Sequence, residues 1–362
     1  MKMSTKVLML YAIIGSFASQ LWSFLLPLYL VSLGADMIQV GFVESLGMTV
    51  SLVSSLPVSY ISDTYGRKGV IVIGGFLRAL LLFFLIFPRT WLEFAAIYAL
   101  YCLASSYGYV IMAAISEALP ERDLATGLSL FNTLTTIGFA SAMLTGGYFM
   151  RNFGFRMNLL ISSILVLLAS YLIQKYFLET LHVKRAQNGK GGYIRDFFGR
   201  LRLIVSMSQA RLILFLIIIS NFFTRMASPY QVVYAEQIIG MTETELGIAY
   251  SASQAVGIVS MLVGGRFADK LGRKRIYVIS LAFSPIATLI FLLSYSPVLA
   301  SIAVALGSLF GGFMAPAFLA IMAHSVPANM RSVAFSIYST VPEVIEMFAP
   351  VLGGILYQEG GP

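Results

Sequence analysis

The amino-acid sequence predicts an all-α protein that crosses a membrane many times and consists of two similar helix bundles. Of its 362 residues, 58% are hydrophobic and 11% are charged, whereas a soluble globular chain carries about 25% charged residues. Apolar stretches of about 18 residues or more recur along the chain, and each can cross a hydrocarbon layer about 30 Å thick. Short sequence patterns of the first half return in the second half. These observations exclude a soluble enzyme, a disordered scaffold and a secreted disulfide-linked protein.

Eleven apolar stretches have the length of a membrane-spanning helix. They are residues 7–31, 39–61, 70–88, 92–117, 126–149, 157–178, 211–235, 244–267, 276–295, 298–323 and 332–357. The first is about twice as long as the apolar core of a signal peptide, and further spans follow it. We therefore expect the first span to be a retained helix.

The basic residues indicate how the spans are oriented. The chain holds 24 Lys and Arg against 16 Asp and Glu, a net charge of +8. With the N-terminus on the inner side, 19 of the 24 basic residues fall on that side, and only Arg89, Arg151 and Arg156 fall outside. Basic residues concentrate in the cytoplasmic loops of membrane proteins, so the charge needs no nucleic-acid partner. We expect a cytoplasmic N-terminus and a place in the plasma membrane.

A polar stretch between the sixth and seventh spans divides the chain into two related parts. Asp63-Thr64-Tyr65-Gly66-Arg67-Lys68 returns as Asp269-Lys270-Leu271-Gly272-Arg273-Lys274, 206 positions later, and Gly146-Gly147 returns as Gly353-Gly354. The repeat predicts a six-helix bundle at 1–178, a basic cytoplasmic linker at 179–210 and a second bundle at 211–362. The same offset predicts a twelfth span that would begin near position 362. Both a shortened gene and a fragment remain open as explanations for its absence.

The repeated motif carries a resemblance to a known family. The first copy is Asp63, Gly66, Arg67 and Lys68, and the second is Gly265, Asp269, Gly272, Arg273 and Lys274. The two copies resemble the signature of the major facilitator superfamily, Gly-x-x-x-Asp-x-x-Gly-Arg-Lys/Arg, which lies in the cytoplasmic turns between helices 2 and 3 and between helices 8 and 9. Ser59 stands where the first copy would have its leading glycine. The resemblance implies a pseudo-symmetric two-bundle fold with eleven of twelve helices present.

Two roles are open for the motif. The glycines permit the positive φ that a tight turn often needs, and the cations can lie near anionic headgroups. The aspartates can pair with a neighbouring cation or with a helix N-terminus. The resemblance implies a latch that holds the outward-open state and breaks when the protein opens inward. The alternative is an anchor of topology with no part in gating.

Ionisable residues inside the spans need a reason, because one at mid-bilayer costs about 2.5–3.5 kcal/mol on insertion scales. Arg225 and Glu346 each lie about 21 Å from the inner surface at 1.5 Å per residue, and Glu343 lies one turn from Glu346 on the same helical face. An Arg225–Glu346 pair is expected, with Pro342 and Pro350 bending the eleventh helix. The acidic pair could form a substrate or proton site, or Glu346 and Arg225 could form a purely structural ion pair.

Other polar residues of the spans have less certain roles. We expect Arg78 to extend to the inner surface, and Glu117 and Glu236 to be solvated at span ends. Glu44 could line a cavity or lie at the interface. In the family that the motif resembles, helices 1, 4, 7 and 10 line the cavity, which favours four lining residues: Gln20, Trp22, Asn221 and Gln231. Such side chains also join helices by hydrogen bonds.

These features predict a secondary active transporter that moves a small organic solute by alternating access. Protons are the expected coupling ion, because two buried carboxylates are available. The sequence has no phosphate-binding loop, no metal-ligand cluster and no serine nucleophile motif, so we expect no enzyme activity and no cofactor. A monomer is expected, whose partners are its substrate, protons and the lipid bilayer. The alternative is a non-transporting sensor or an inactive remnant of the same fold.

On the fifth span, Ala142-Met143 replaces the Gly-Pro of drug–proton antiporters, which argues against drug efflux.

Overall fold

A computed structural model describes residues 3–119, 123–179, 199, 201–326 and 331–361. Most of the predicted linker lies outside these residues. The described part of the chain is built from helices, with no strand. They are α1 (Met3–Ser23), α2 (Leu26–Ser32), α3 (Met37–Tyr65), α4 (Arg67–Phe84), α5 (Trp91–Ser105), α6 (Gly108–Ala118), α7 (Leu124–Phe153), α8 (Phe155–Tyr176), α9 (Ser208–Gln237), α10 (Glu243–Leu271), α11 (Arg273–Leu292), α12 (Pro297–His324), α13 (Arg331–Glu346) and α14 (Ala349–Gly360).

The helices confirm the prediction of an all-α integral membrane protein. Ten stretches of the described residues are long and apolar enough to cross a membrane, and each corresponds to a predicted span. The remaining predicted span, 70–88, corresponds to α4, which carries the cations Arg67, Lys68 and Arg78. Observed and predicted ends agree to within about one helical turn.

Three of the spans are interrupted. The first divides into α1 and α2, the fourth into α5 and α6, and the eleventh into α13 and α14. Pro27 and Pro350 lie in the first turn of the helix after the break, where a missing backbone N–H removes no helical hydrogen bond. The bend expected in the eleventh span is therefore a break directly after Glu346.

The repeat includes the N-terminal caps of the corresponding helices α3 and α10. The Asp36 carboxylate accepts a 2.8 Å bond from the Gln39 backbone, and the Gln39 side chain accepts a 3.0 Å bond from the Asp36 backbone. Thr242 and Glu245 form the same reciprocal cap at the start of α10. Positions 36 and 39 correspond to 242 and 245 at the offset of 206. Such caps satisfy free N–H groups of the first turn and so fix where a helix begins. The two helices therefore begin at equivalent positions of the repeat.

We call the end of the molecule that carries the turns at Gly66 and Gly272 the motif side, and the other end the distal side. Within the N-terminal half, α1 packs against α7 and α8, and α4 packs against α8; within the C-terminal half, α12 packs against α10 and α11. Between the halves, α3 contacts α14 and α7 contacts α10. These two helix pairs are the main contacts between the halves among the described residues.

The two halves touch closely on the distal side. The Tyr230 hydroxyl lies 3.2 Å from the carbonyl oxygen of Met37, in the N-terminal half, and 2.5 Å from that of Pro350. Gly41 of α3 packs against the Pro350 carbonyl, and Gly147 of α7 packs against the Glu243 carbonyl. Because glycine has no side chain, backbones can approach closely at these positions. The distal side is therefore closed.

Candidate substrate cavity and gating turns

A cavity of about 570 Å³ lies between the two halves. Helices α3, α5, α6 and α7 supply most of its wall, and α9 and α13 contribute the ionisable residues Arg225 and Glu343. The other lining residues are Glu44, Gly47, Met48, Ser51, Leu52, Tyr98, Cys102, Ser105, Ser106, Gly108, Tyr109, Met112 and Phe131. The wall is therefore mainly apolar and aromatic, with a few ionisable groups. This is the usual character of a small-molecule site.

Arg225 and Glu346 form the pair that the sequence suggested. Arg225 Nε lies 3.6 Å from Glu346 Oε2, and the Glu346 side chain is 4% exposed whereas that of Arg225 is 57% exposed. The second carboxylate oxygen of Glu346 has no hydrogen-bond partner among the described residues. Glu346 thus lies behind the cavity wall, and the Arg225 guanidinium extends from it toward the open space.

The other acidic residue of the eleventh span faces the cavity. Glu343 Oε1 lies 3.5 Å from the Tyr109 hydroxyl of α6, a long contact that joins the two halves across the cavity. The break between α13 and α14 follows directly after Glu346. Glu343 is half-buried whereas Glu346 is buried, although the two lie one turn apart.

Glu44 also lines the cavity. The sequence alone is consistent with a cavity position and with a position at the membrane interface. Glu44 is within electrostatic range of Arg225, and no Lys or Arg forms an ion pair with it in the part of the chain that the structure describes. The carboxylates of Glu44, from the N-terminal half, and Glu343, from the C-terminal half, thus lie in the same cavity as the Arg225 guanidinium.

The fourth span supplies a cavity face that is not among the residues predicted from the sequence. Tyr98, Cys102, Ser105, Tyr109 and Met112 point into the cavity from α5 and α6. Their spacing of three or four residues is a helical face, so a signal existed in the sequence. The face continues across the break between α5 and α6, where the Ser106 hydroxyl bonds to that of Ser54 on α3.

None of the four residues expected to line the cavity is among the described residues that line it. Trp22 is 1% exposed and packs edge-on against Tyr98, Tyr101 and Phe155 in the core of the N-terminal half. Gln20, Asn221 and Gln231 fall outside the set of described residues that line the cavity. Hydrophobic burial decides the position of Trp22, because a large indole ring gains most from a fully packed site.

The expectation that Arg78 extends to the membrane surface is wrong. Its Nη2 donates a 2.7 Å hydrogen bond to the Ser19 hydroxyl, and its Nε lies 3.3 Å from the Tyr101 hydroxyl. The guanidinium carbon lies 5.6 Å from the centre of the Tyr101 ring. Hydroxyl groups and an aromatic face inside the N-terminal half therefore stabilise this cation, so it need not reach the headgroups.

The first copy of the motif forms a compact set of charges at the motif side. Arg67 is 8% exposed; its Nη1 lies 2.5 Å from the Asp63 carboxylate and its Nη2 lies 2.9 Å from Glu117. Glu117 had been expected to be solvated. The Glu179 carboxylate accepts bonds of 2.9 and 3.0 Å from the backbone N–H groups of Arg67 and Lys68. Side chains from the ends of α3 and α6 and from the segment after α8 thus meet at one turn.

The second copy is much more open. Arg273 Nη2 lies 3.5 Å from Asp269, and the two side chains are 41% and 69% exposed. Both turn glycines have positive φ, 108° at Gly66 and 96° at Gly272. A Cβ at Gly66 would lie 2.5 Å from the Glu179 carboxylate, whereas a Cβ at Gly272 would meet no atom of the described residues within 4 Å. The two copies share a backbone turn but not its surroundings.

Comparison with known proteins gives matches along the whole chain. The family model for the Major Facilitator Superfamily matches residues 8–237 and again residues 213–362. Multidrug resistance protein MdtG of Rahnella sp. (strain Y9602) is 22% identical over 344 residues, which cover 91% of this chain and 80% of that protein. The Na(+), Li(+), K(+)/H(+) antiporter of Planococcus maritimus is 30% identical over 137 residues, which cover 36% of this chain and 32% of the antiporter.

Solved structures share the fold. The crystal structure of a bacterial homolog to the human lysosomal transporter Spinster, in an inward-facing and unoccupied conformation, has a TM-score of 0.81 and 13% identity, and the match covers 99% of this chain and 84% of that chain. The nucleoside transporter NupG has a TM-score of 0.77 and 16% identity, over 98% of this chain and 90% of that chain. At such identities the likeness concerns the fold.

Proposed function

Since the chain belongs to the Major Facilitator Superfamily, we propose that it is a secondary active transporter that moves a small organic solute across the plasma membrane with proton coupling. The observation that carries this proposal is the cavity between the halves, which holds ionisable groups from both of them. A solute bound there would contact both halves at once. Rocking of one half against the other would then expose the solute to each side in turn.

We infer that the structure corresponds to an inward-facing state. The described contacts of Tyr230, Gly41 and Gly147 close the distal side. The excess of basic residues on the motif side supports a cytoplasmic position for that side and for the N-terminus. The cavity would accordingly be reached from the cytoplasm in this state, and outward opening would require the distal contacts to break.

Glu343 is the best candidate for the coupling proton. It lines the cavity, where a proton can reach it, and it lies one turn from Glu346, which is buried and paired with Arg225. Protonation of Glu343 would remove one negative charge from the cavity and weaken the electrostatic attraction to Arg225. A relative whose name includes exchange of Na(+), Li(+) and K(+) for H(+) supports proton coupling in this chain.

The motif turns would act as gates on the cytoplasmic side. In the structure, the described ion pairs of Asp63 and Arg67 stay within the N-terminal half. This supports a latch that contacts the other half only when the motif side closes. The half-exposed Asp269–Arg273 pair supports a smaller role for the second copy.

The test is solute uptake by the full chain in proteoliposomes under an imposed pH gradient, with a panel of nucleosides, sugars, short peptides and lipophilic ions. We expect at least one solute to accumulate faster with the gradient than without it. Glu343→Gln should remove this acceleration but retain exchange of solute in the absence of a gradient. Glu236→Gln, which changes an exposed carboxylate at the end of α9, is the matched control. Normal coupled uptake by Glu343→Gln would contradict the assignment of Glu343.

A further inference from the structure

We propose that the solute carried by this cavity is an organic cation with an apolar body, and that Glu44 holds its charge. This inference rests on the proposed transport function and names the substrate class of the same site. It follows from the charge balance of the cavity, from the character of its wall and from the position of Glu44 on α3.

The charge balance of the cavity is negative when the two carboxylates on its lining are ionised. Arg225 is the cation of the described lining, and it forms an ion pair with Glu346 behind the wall. Glu44 and Glu343 remain on the lining itself, and the described contact of Glu343 is a 3.5 Å contact with the neutral hydroxyl of Tyr109. A cleft with apolar walls and an excess of one charge concentrates ions of the opposite charge. This cavity should therefore attract cations and repel anions.

The wall fits an apolar body better than a metal ion. Tyr98, Tyr109 and Phe131 present rings, and Met48 and Met112 present polarisable thioethers. Rings attract organic cations through their faces, and methionine adapts to ligands of irregular shape. An inorganic Ca²⁺ or Mg²⁺ ion needs about six oxygen ligands, and the described residues contain no group of three acidic, histidine or cysteine side chains that could hold a metal ion. The cavity volume of about 570 Å³ lies within the range of pockets that bind drug-sized ligands.

Glu44 is placed to receive the charged end of such a molecule. Gly47, one turn further along α3, has no side chain, and the Tyr98 ring packs directly against it: a Cβ at position 47 would lie 2.6 Å from Tyr98 Cε1. The ring of Tyr98 thus lies over the face of α3 that carries Glu44. A carboxylate next to an aromatic face is the arrangement that binds an organic cation by charge and by ring contact together.

The test compares two ions of the same shape and opposite charge. Equilibrium binding of radiolabelled tetraphenylphosphonium and of tetraphenylborate is measured on the purified full chain in detergent. We expect tetraphenylphosphonium to bind with a Kd at least tenfold lower than that of tetraphenylborate. Glu44→Gln should raise the Kd for tetraphenylphosphonium at least tenfold, while Glu236→Gln leaves it unchanged. Glu44→Asp, which keeps the charge, is the second variant and should retain most of the affinity.

Three results would overturn the inference. They are equal or tighter binding of tetraphenylborate, absence of tetraphenylphosphonium binding, and wild-type affinity in a folded Glu44→Gln protein. The outcome is separable from that of the transport proposal, because binding is measured without a membrane or a gradient. Cation binding without uptake in proteoliposomes would contradict transport alone. Uptake of another solute by a protein that does not bind tetraphenylphosphonium would contradict the inferred substrate class but not the transport function.

Discussion

Glu179 caps the helix that begins at Arg67: its Oε1 atom accepts a 2.9 Å hydrogen bond from the Arg67 backbone nitrogen. The carboxylate follows α8, 112 positions along the chain from that nitrogen. A negative charge at a helix N-terminus is favourable by about 0.3–1 kcal/mol. The contact therefore fastens the end of the N-terminal half, where the linker begins, to the turn between α3 and α4.

Gly66→Ala should destabilise the protein more than Gly272→Ala does. Both substitutions place a Cβ on a backbone with positive φ, which costs about 1–3 kcal/mol. Only the alanine at position 66 would also displace the Glu179 carboxylate. Thermal unfolding of the two purified variants in detergent gives the comparison. Equal lowering of the two Tm values would show that the Glu179 contact contributes nothing.

Gly265→Ser should be tolerated. Gly265 is helical, and a Cβ there would meet no atom of the described residues within 4 Å. The corresponding position of the first copy is already serine, Ser59. We expect a Tm within about 2 °C of the unmodified protein, since a substitution that meets no neighbouring atom changes stability by about 0.5 kcal/mol or less. A large loss of stability or of solute uptake would mean that this glycine is required for another reason.

Glu117→Gln should weaken the charge cluster of the first motif. The variant replaces the 2.9 Å ion pair with Arg67, whose side chain is 10% exposed, by a hydrogen bond that the Arg67 guanidinium donates to a neutral amide oxygen. Bonds to charged groups contribute about 1.5–3 kcal/mol, so we expect a loss of about 1 kcal/mol after allowance for partial exposure. Asp269→Asn is the matched control, because its exposed pair with Arg273 should contribute less than about 0.5 kcal/mol. The reverse order of the two effects would refute the contrast between the motif copies.

Arg225→Gln should be more damaging than Glu346→Gln. Removal of the cation leaves a carboxylate that is 4% exposed without its partner, and such a change costs about 3–5 kcal/mol. Removal of the carboxylate leaves Arg225, which is more than half exposed and can be hydrated. The double variant should therefore be about as stable as Glu346→Gln. A double-mutant cycle from denaturant unfolding tests the coupling, and strictly additive losses would argue against an ion pair.

Tyr230→Phe should loosen the closed distal side. The variant removes the hydroxyl that bridges the Met37 and Pro350 carbonyls, which leaves two carbonyl groups without this donor. Since the bridge joins the two halves, its loss should increase the population of states in which they separate. Spin labels on cysteines introduced at Ser32 and Glu359 would report the distance between the halves.

Tyr234→Phe is the control for this experiment. Its hydroxyl bonds to the Leu292 carbonyl at 2.8 Å, so the bond lies within the C-terminal half. This variant should leave the distance distribution unchanged, whereas Tyr230→Phe should add a longer component. Identical distributions in both variants would mean that backbone packing at the glycines closes the distal side without help from Tyr230.

The positions of the spans could be predicted from the sequence because they depend on local properties. A run of apolar residues forms a helix in lipid, since every backbone group must find its partner within the segment. Short stretches of residues likewise determine the ends of the helices, the turns at Gly66 and Gly272 and the repeat between the halves. The Arg225–Glu346 pair was accessible to the same reasoning, because depth along each helix follows from the count of residues.

The face that each helix turns toward the cavity was decided by the tertiary structure. Lipid tails are as apolar as a protein core, so a membrane helix carries little contrast between its lipid-facing and protein-facing sides. Trp22 accordingly lies in the core, Arg78 lies among hydroxyl groups inside the N-terminal half, and Glu44 lies on the cavity. The approach of Glu179 to Gly66 joins residues 113 positions apart, and only the packing of α8 against α4 brings them together. Local sequence thus determined where the chain crosses the membrane, and packing between distant helices determined which side chains meet.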